Sequence, residues 1–207
     1  MKNILKKNIL DLDYYKIAYE SKLEKQLAKL PKSIKFCKKC VVSNQRPRIT
    51  FDENGICSAC NWFEEKKKID WKNREKQFED LLKRYRKDNG EFDCIVPGSG
   101  GKDSGMIAHI LKYKYKMNPL YVTWSPLLYT DIGVKNLQNL YNSGIDGKVF
   151  TPSREIQRKI SLLGLMYIGN HFEAFGRGQM CYPFHVANEL NIKLVMYGEN
   201  GELEYGG

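Results

Sequence analysis

The feature that most constrains this chain is a short glycine- and serine-rich stretch between an apolar run and a helical pattern. The apolar run, Phe92–Val96, is typical of a buried strand, and Pro97–Ser104 follows it directly. Apolar residues then recur at helical spacing over Gly105–Leu111. A glycine-rich turn between a strand and a helix presents backbone N–H groups at the helix N-terminus, where they bind phosphate. The stretch therefore predicts a phosphate site in an α/β domain.

Two common phosphate-binding loops do not fit this stretch. A Walker loop has glycine five positions before its Gly-Lys pair and Ser or Thr after it, whereas this chain has Val96 and Asp103 there. The dinucleotide fingerprint requires a third glycine where Asp103 stands. The remaining pattern, Ser99–Ser104, resembles the pyrophosphate loop of the ATP pyrophosphatase (PP-loop) superfamily. Its members split ATP between the α and β phosphates and adenylylate a carbonyl oxygen.

From Phe92 onward, strand and helix patterns alternate. We predict strands at 92–96, 119–124, 147–150 and 192–197, and helices near 104–116, 133–141, 153–165 and 182–190. Repeated strand–helix units predict a parallel α/β sheet, in which ligands bind at the carboxyl ends of the strands. Those ends carry Gly98–Ser104, Thr123 with Trp124, Thr151, and Gly198–Asn200.

Four of the six cysteines form two Cys-x-x-Cys pairs, Cys37 with Cys40 and Cys57 with Cys60. Two such pairs at this spacing are typical of a tetrahedral zinc ribbon. Because four protein ligands leave no open position, we expect structural zinc. Disulfides and a four-cysteine iron–sulfur cluster are the alternatives, and nothing in the sequence indicates an oxidising compartment.

The net charge of +10 is concentrated before the glycine-rich stretch, because residues 1–92 hold 23 of the 34 Lys and Arg but 14 of the 24 Asp and Glu. A basic surface can bind RNA, but acids interleave with these lysines, so we expect solvated helix faces and no nucleic-acid partner. The chain has no run of 18 apolar residues, and charges interrupt Met1–Lys7. We therefore expect a cytoplasmic protein with no membrane partner.

These patterns divide the chain into four parts. Residues 1–35 are predicted to form a Lys-rich helical extension that Asp13 caps and Pro31 ends. Residues 36–62 are the zinc-binding module, residues 63–91 a charged helical linker, and residues 92–207 a partial PP-loop domain.

The two cysteine pairs, the Ser99–Ser104 loop and the closing run Tyr197–Gly207 together resemble the N-acetyl sugar amidotransferase family. This bacterial PP-loop group modifies pseudaminic and legionaminic acids, as in flagellin glycosylation, and O-antigen sugars of lipopolysaccharide. The resemblance covers about Phe36 to Gly207 and implies an adenine nucleotide alpha hydrolase-like fold. It implies that ATP adenylylates the oxygen of a sugar N-acetyl group, and that ammonia then replaces this oxygen to give an acetamidino group.

The resemblance also implies roles for individual residues. Lys102 neutralises charge on the departing pyrophosphate, Asp103 places magnesium, and Ser104 completes the catalytic set. Backbone N–H groups of Gly98–Gly101 hold the pyrophosphate. The implied residues for binding ATP and magnesium are Gly98, Ser99, Gly100, Gly101, Lys102, Asp103, Ser104, Thr123, Trp124, Gly198, Glu199 and Asn200.

The implied reaction needs ammonia, and the chain has no glutaminase motif. Residue 2 is Lys, and neither Cys94 nor Cys181 lies in a nucleophile elbow, so we expect both to be small buried hydrophobic residues. The resemblance implies a separate glutaminase subunit, with a cyclase-like subunit as a further partner, although free ammonium is an alternative source. Further candidates for binding sugar or phosphate, in a Gly-rich segment expected between helices, are His171, Glu173, Arg177 and Gln179.

Members of that family are longer than 207 residues, so we expect a C-terminally truncated chain that lacks a fifth strand and much of the sugar site. An inactive form, which binds ATP without completing the reaction, is then an alternative to the full amidotransferase. Two other functions stay open. A tRNA 2-thiolation enzyme also combines a zinc module with a PP-loop domain, but it uses cysteines within that domain, where this chain has only Cys94 and Cys181. A non-catalytic zinc-ribbon adaptor would keep the nucleotide fold as a scaffold.

Overall fold

The computed structural model describes residues 31–46 and 48–200. The N-terminal helix predicted up to Pro31, with its cap at Asp13, and the closing run beyond Asn200 lie outside these ranges. The chain divides into two compact units. The first contains the described residues up to Lys68 together with Leu163–Asn170, and the second contains Ile69–Leu162 and the residues from His171 onward. None of the helices in the described ranges combines the length and apolar character needed to cross a membrane.

The first unit contains two short antiparallel bridges. The bridged pairs are Phe36 with Ser43 and Phe51 with Cys57. The turn after Phe51 has Gly55 at a φ of +77°, a conformation that favours glycine. The Asp52 carboxylate stabilises this turn, because it accepts hydrogen bonds from the N–H groups of Asn54 and Ile56, both at 2.9 Å.

Two helices lie in and next to the segment predicted to be a charged helical linker, residues 63–91. Helix α1 spans Ser58–Lys68, and helix α2 spans Trp71–Tyr85. Helix α2 begins where it does because Asp70 is its N-cap, with Oδ1 accepting a hydrogen bond from the Asn73 N–H at 3.0 Å. Asp is among the preferred N-cap residues, so the sequence contained this signal.

The second unit contains a three-stranded parallel sheet, which confirms the predicted α/β class. Strand β1 spans Cys94–Pro97, β2 spans Pro119–Trp124 and β3 spans Asp146–Phe150, in the order β1–β2–β3. Strand β1 and most of β2 are buried, whereas β3 is mostly exposed. The apolar runs therefore form the centre of the sheet, and the polar strand forms its edge.

The fourth predicted strand, 192–197, is reduced to one bridge. Val195 pairs in parallel with Ile95. The Ile95 N–H donates to the Leu194 carbonyl at 2.9 Å, and the Met196 N–H donates to the Ile95 carbonyl at 2.8 Å. This segment lies on the edge of β1 opposite β2, so the order across the sheet is β3, β2, β1 and then Val195.

Helices connect the strands at about the predicted positions, with one exception. The helices are α3 at Lys102–His109, which continues as a π-helical turn at Ile110–Lys114, α4 at Asp131–Asn142, α5 at Arg154–Ile168 and α6 at Glu173–Glu189. The Gly-rich segment predicted between helices is wrong, because α6 already begins at Glu173. Gly178 and Pro183, residue types that disfavour helix interiors, are instead buried within α6.

Two apolar clusters cover the opposite faces of the sheet. Cys94 and Val96 of β1 belong to one cluster, which also contains residues of α2, α3 and α4. Ile95 belongs to the other cluster, which contains Val186 and Ala187 of α6. This alternation follows from the two-residue period of a strand, and it places α6 on the face opposite α3.

Candidate functional site

The four predicted metal ligands come together in the first unit. The Sγ atoms of Cys37, Cys40, Cys57 and Cys60 all lie within 4.8 Å of one another. Those of Cys40 and Cys57 are 3.7 Å apart, close to the ~3.8 Å edge of a tetrahedron with ~2.3 Å metal–sulfur bonds and far beyond the ~2.05 Å of a disulfide. None of the six cysteines is in a disulfide. The cluster can therefore hold a metal ion such as zinc.

The electrostatics of this cluster favour one thiolate and oppose several. Burial disfavours ionisation of Cys37, but the N–H groups of Cys57, Lys39 and Cys40 lower the pKa of its thiol from 9.0 to about 6. The neighbouring sulfur of Cys40, together with burial, raises the pKa of Cys60 to about 12. A bound cation offsets repulsion among thiolates, so metal binding and full deprotonation of the cluster are coupled.

In the second unit, the predicted phosphate loop opens onto a cavity of about 200 Å³. The predicted site residues that line this cavity are Gly98, Ser99, Gly101, Asp103, Ser104, Trp124, Gly198 and Glu199, together with Gln179. Sequence reasoning assigned no site role to the other lining residues, which are Pro97, Val122, Met180 and Tyr197. The cavity thus lies where β1, β2 and the bridged segment end, at the edge of the sheet where we expected ligands.

Of the predicted site residues that the structure describes, Gly100, Lys102, Thr123 and Asn200 are outside the cavity lining. Thr123 is fully buried in β2, since its side chain alternates with those of its neighbours Val122 and Trp124, which do line the cavity. Lys102 is 89% exposed and pairs with the adjacent Asp103 carboxylate, with Nζ 2.9 Å from Oδ1.

Tyr121, a residue that sequence reasoning did not identify, holds the loop from strand β2. The Gly100 N–H donates to Tyr121 Oη at 2.8 Å, and Ser104 Oγ lies 2.7 Å from the same oxygen. A Cβ atom at Gly98 would lie 2.5 Å from Ser104 Oγ and closer still to Tyr121 Oη. Glycine at this position is therefore required by the close approach of the loop to the tyrosine.

Two of the backbone groups expected to hold pyrophosphate already have partners within the fold. The Gly98 N–H donates to the Val122 carbonyl at 3.0 Å, and the Gly100 N–H donates to Tyr121. Ser99 and Gly101 line the cavity. Ser99 and Gly101 are therefore the better candidates for holding a ligand through the backbone of this loop.

Gly198 lies against the first turn of α3. A Cβ atom there would lie 2.7 to 2.8 Å from the backbone carbonyl of Asp103 and the backbone nitrogen of Ser104, so only glycine fits. Glu199 follows directly, and it lines the same cavity as Asp103. Carboxylate oxygens beside a phosphate site are ligands that magnesium prefers.

The Trp124 indole forms an apolar wall of the cavity. Its ring centroid lies 5.0 Å from that of Phe150 and 5.8 Å from that of Tyr182. A Cβ atom at Gly178 of α6 would overlap the indole ring, so glycine lets this helix approach the end of β2. The Trp124 Nε1 atom is buried and has no hydrogen-bond partner among the described residues.

Three of the four candidates in the Gly-rich segment are not among the described residues that line the cavity. His171 is exposed and lies against the Phe172 ring, with centroids 4.3 Å apart. Glu173 and Arg177 form an ion pair with a 2.7 Å separation along α6. Gln179 alone among these four lines the cavity.

The two cysteines outside the cluster differ in exposure. Cys94 is fully buried in β1, as predicted, and burial with the nearby Asp93 charge raises the pKa of its thiol to about 12. Cys181 is exposed, so the prediction that it is buried is wrong. It lies on α6, where Met180 beside it is exposed as well, and a helix buries only one of its faces.

Comparison with known proteins gives a partial match. No protein-family model matches the chain. The chain is similar to an uncharacterized protein of Methanocaldococcus jannaschii, with 34% identity over 87 residues, and this match covers 42% of the present chain and 31% of the archaeal protein. The match thus spans about a third of the length of that curated relative.

Proposed function

We propose that the second unit is a PP-loop ATP pyrophosphatase domain and that the chain is the synthetase subunit of an N-acetyl sugar amidotransferase. The observation that carries the proposal is the Ser99–Ser104 loop, which joins buried strand β1 to α3 and opens onto the cavity. Ser99 and Ser104 supply hydroxyl donors to a phosphate chain there, and the first turn of α3 supplies a favourable dipole.

The proposed reaction uses ATP because an amide carbonyl is a poor electrophile. The amide oxygen attacks the α-phosphorus of ATP, the bond to the β-phosphate breaks, and pyrophosphate leaves. Ammonia, supplied by a separate glutaminase subunit, attacks the activated carbon and loses protons. AMP then departs with the original amide oxygen, and the acetamidino group remains on the sugar.

The residues of the cavity suit the first half of this reaction. Asp103 and Glu199 would hold the magnesium ion that offsets phosphate charge, and Trp124 forms the apolar wall beside them. The cavity of about 200 Å³ is smaller than the ~300–1,000 Å³ typical of a whole ligand pocket. It therefore suits the phosphate chain of ATP rather than the nucleotide and a sugar together.

We propose further that the metal in the four-cysteine cluster is zinc with a structural role. Four thiolates at tetrahedral spacing leave no open coordination position for a substrate. Elemental analysis should find one zinc per chain and a protein without visible colour. Iron with the absorption bands of an iron–sulfur cluster would contradict this assignment.

The decisive experiment follows the amide oxygen. The purified chain is given ATP, Mg²⁺, ammonium and an N-acetylated sugar whose acetyl oxygen carries ¹⁸O, and the products are analysed by mass spectrometry. We expect ¹⁸O in AMP and an acetamidino sugar, a result that would also overturn the expectation of a truncated, inactive chain. Unlabelled AMP, or no AMP, would contradict the proposal.

A matched pair of variants connects this activity to the cavity. Asp103 and Asp131 are both acids in the first turn of a helix, but only Asp103 lines the cavity. Asp103→Asn should abolish AMP formation, and Asp131→Asn should leave it unchanged.

One observation favours a second candidate, tRNA thiolation. Cys181 is exposed on α6 beside the cavity residue Met180, so its thiol is accessible to a sulfur donor. Buried Cys94 is unsuited to that chemistry because the raised pKa keeps its thiol protonated. Under the amidotransferase proposal, the Cys181→Ser variant should retain sugar amidotransfer. The wild-type protein should not bind tRNA at moderate salt. Loss of a tRNA thiolation activity in this variant would favour the second candidate instead.

A further inference from the structure

We propose that Tyr121 is a positioning residue that orients the Ser104 hydroxyl as a hydrogen-bond donor to a phosphate anion in the cavity. This inference rests on the proposed function, since the anion is the phosphate chain of ATP. Tyr121 itself does not line the cavity, whereas Ser104 does. Of the two groups that hydrogen-bond to its hydroxyl, Gly100 does not line the cavity and Ser104 does, so we assign its effect on the ligand to Ser104.

The tyrosine hydroxyl has two polar neighbours. The Gly100 N–H lies 2.8 Å from Tyr121 Oη, and Ser104 Oγ lies 2.7 Å from it. Tyr121 is fully buried, so water does not supply a further partner. Burial also raises the pKa of the phenol, although the contacts with Ser104 and Gly100 oppose this, and the hydroxyl keeps its proton.

Counting protons determines the direction of these hydrogen bonds. A backbone N–H can only donate, so Tyr121 Oη accepts from Gly100. The phenol has one proton, and a buried O–H without an acceptor is costly, so this proton is donated to Ser104 Oγ. The hydrogen bond received from Gly100 strengthens that donation, because hydrogen bonds in a chain polarise one another.

The Ser104 hydroxyl must then direct its own proton elsewhere. Its other hydrogen-bond neighbour among the residues that the structure describes is the Gly101 carbonyl at 3.4 Å, a long contact. A phosphate oxygen in the cavity is a much better acceptor, since hydrogen bonds to ionised groups are shorter and stronger. The chain from Gly100 through Tyr121 to Ser104 therefore presents a donor to the cavity, which selects an anion over a metal ion at this point.

The test uses inorganic pyrophosphate as the probe and isothermal titration calorimetry as the readout. Tyr121→Phe keeps the ring and removes the hydroxyl, and Ser104→Ala removes the donor. We expect Ser104→Ala and Tyr121→Phe each to weaken pyrophosphate binding about tenfold. The double variant should bind no more weakly than Ser104→Ala, because Tyr121 acts only through Ser104.

A matched control separates this effect from the loss of any tyrosine hydroxyl. Tyr113 donates a hydrogen bond to the Ser143 carbonyl and does not line the cavity, so Tyr113→Phe should bind pyrophosphate like the wild type. A double variant about a hundredfold weaker than wild type would show that Tyr121 acts independently of Ser104, and it would overturn the inference. Unchanged binding by Tyr121→Phe would do the same.

If the proposed function itself is wrong, the result is different. The wild-type protein would then bind neither pyrophosphate nor ATP, and both the proposed function and the role of Tyr121 would be rejected. If Tyr121→Phe does not fold, the wild-type protein supplies a second measurement. The buried Tyr121 hydroxyl proton should be visible by NMR and should shift when pyrophosphate is added, but not in Ser104→Ala. A resonance insensitive to pyrophosphate in the wild type would overturn the inference.

Discussion

The four-cysteine cluster and the glycine-loop cavity are both candidate ligand sites, but different forces hold them together. The cluster consists of four sulfur atoms within 4.8 Å, carried by short bridges, turns and the first turn of α1. The cavity is lined by residues at the ends of the buried strands β1 and β2, by the segment after Val195 and by two residues of α6. We therefore expect the first unit to depend on its ligand for stability and the second unit to keep its structure without one.

This difference shows how two kinds of site are encoded. Each Cys-x-x-Cys pair brings two thiols together through local spacing, and an ion bound by them would supply energy that a small core does not. The loop instead depends on contacts between distant parts of the chain, such as those of Gly98 with Tyr121 and of Gly198 with Asp103. Variants in the two regions should therefore fail in different ways.

The largest effect is expected for Cys57→Ser. Cys57 is fully buried, and its replacement removes one of four thiolates, so the first unit should lose its metal and its native structure. Structural zinc typically contributes ~10–16 kcal/mol to folding. Elemental analysis measures the loss of metal, and hydrogen exchange of residues 36–60 measures the loss of native structure. Exposed Cys181→Ser is the control and should keep a full complement of metal, whereas full metal in Cys57→Ser would remove the contrast between the two regions.

A smaller effect is expected for Gly98→Ala. The added methyl group would overlap Tyr121 Oη, so the loop or the tyrosine must move, at a cost of ~1–3 kcal/mol in the free energy of unfolding. Pyrophosphate binding should be lost, while the metal content stays unchanged. Gly101→Ala is the control, because a Cβ atom there has no neighbour within 4 Å, and its stability should change by less than ~1 kcal/mol in urea unfolding. Equal stability of the two variants would contradict the conclusion that the contact with Tyr121 requires glycine at position 98.

Two glycines of α6 provide a third comparison, which concerns the packing of this helix against Trp124. Gly178→Ala would place a methyl group in the Trp124 ring, so we expect a loss of ~1–2 kcal/mol in stability and a changed tryptophan fluorescence. Gly176 has open space around its Cβ position, and Gly176→Ala should raise stability by up to ~1 kcal/mol because alanine favours helix. If both variants were stabilised, the helix would not lie against Trp124 as described.

The smallest effect concerns cysteine reactivity. Iodoacetamide at neutral pH should modify Cys181 in the metal-loaded protein without changing its fold, since this thiol is exposed. Cys94 should react only after unfolding, because it is buried and its pKa is raised to about 12. Peptide mass spectrometry with and without denaturant measures the extent of modification at each of these two cysteines. Modification of Cys94 in the folded protein would show that the second unit opens more readily than its burial implies.

Local patterns predicted the parts of the fold that local physics controls. Apolar runs identified β1 and β2, because buried parallel strands are apolar on both faces. The spacing of the cysteines identified the cluster, and the strand–turn–helix context identified the loop. The start of α6 was missed, because glycine and proline disfavour helices in isolation and only packing against Trp124 makes Gly178 favourable there.

The sequence by itself determined the α/β class, the four sulfur ligands and the position of the glycine-rich loop, since each follows from residue type and spacing. Only the tertiary structure decided that Tyr121 contacts this loop, that Gly98 and Gly100 use their N–H groups within the fold, and that residues near Val195 add one bridge to the sheet. These features join residues far apart in the chain, and their energies depend on burial and close approach, which no local pattern records.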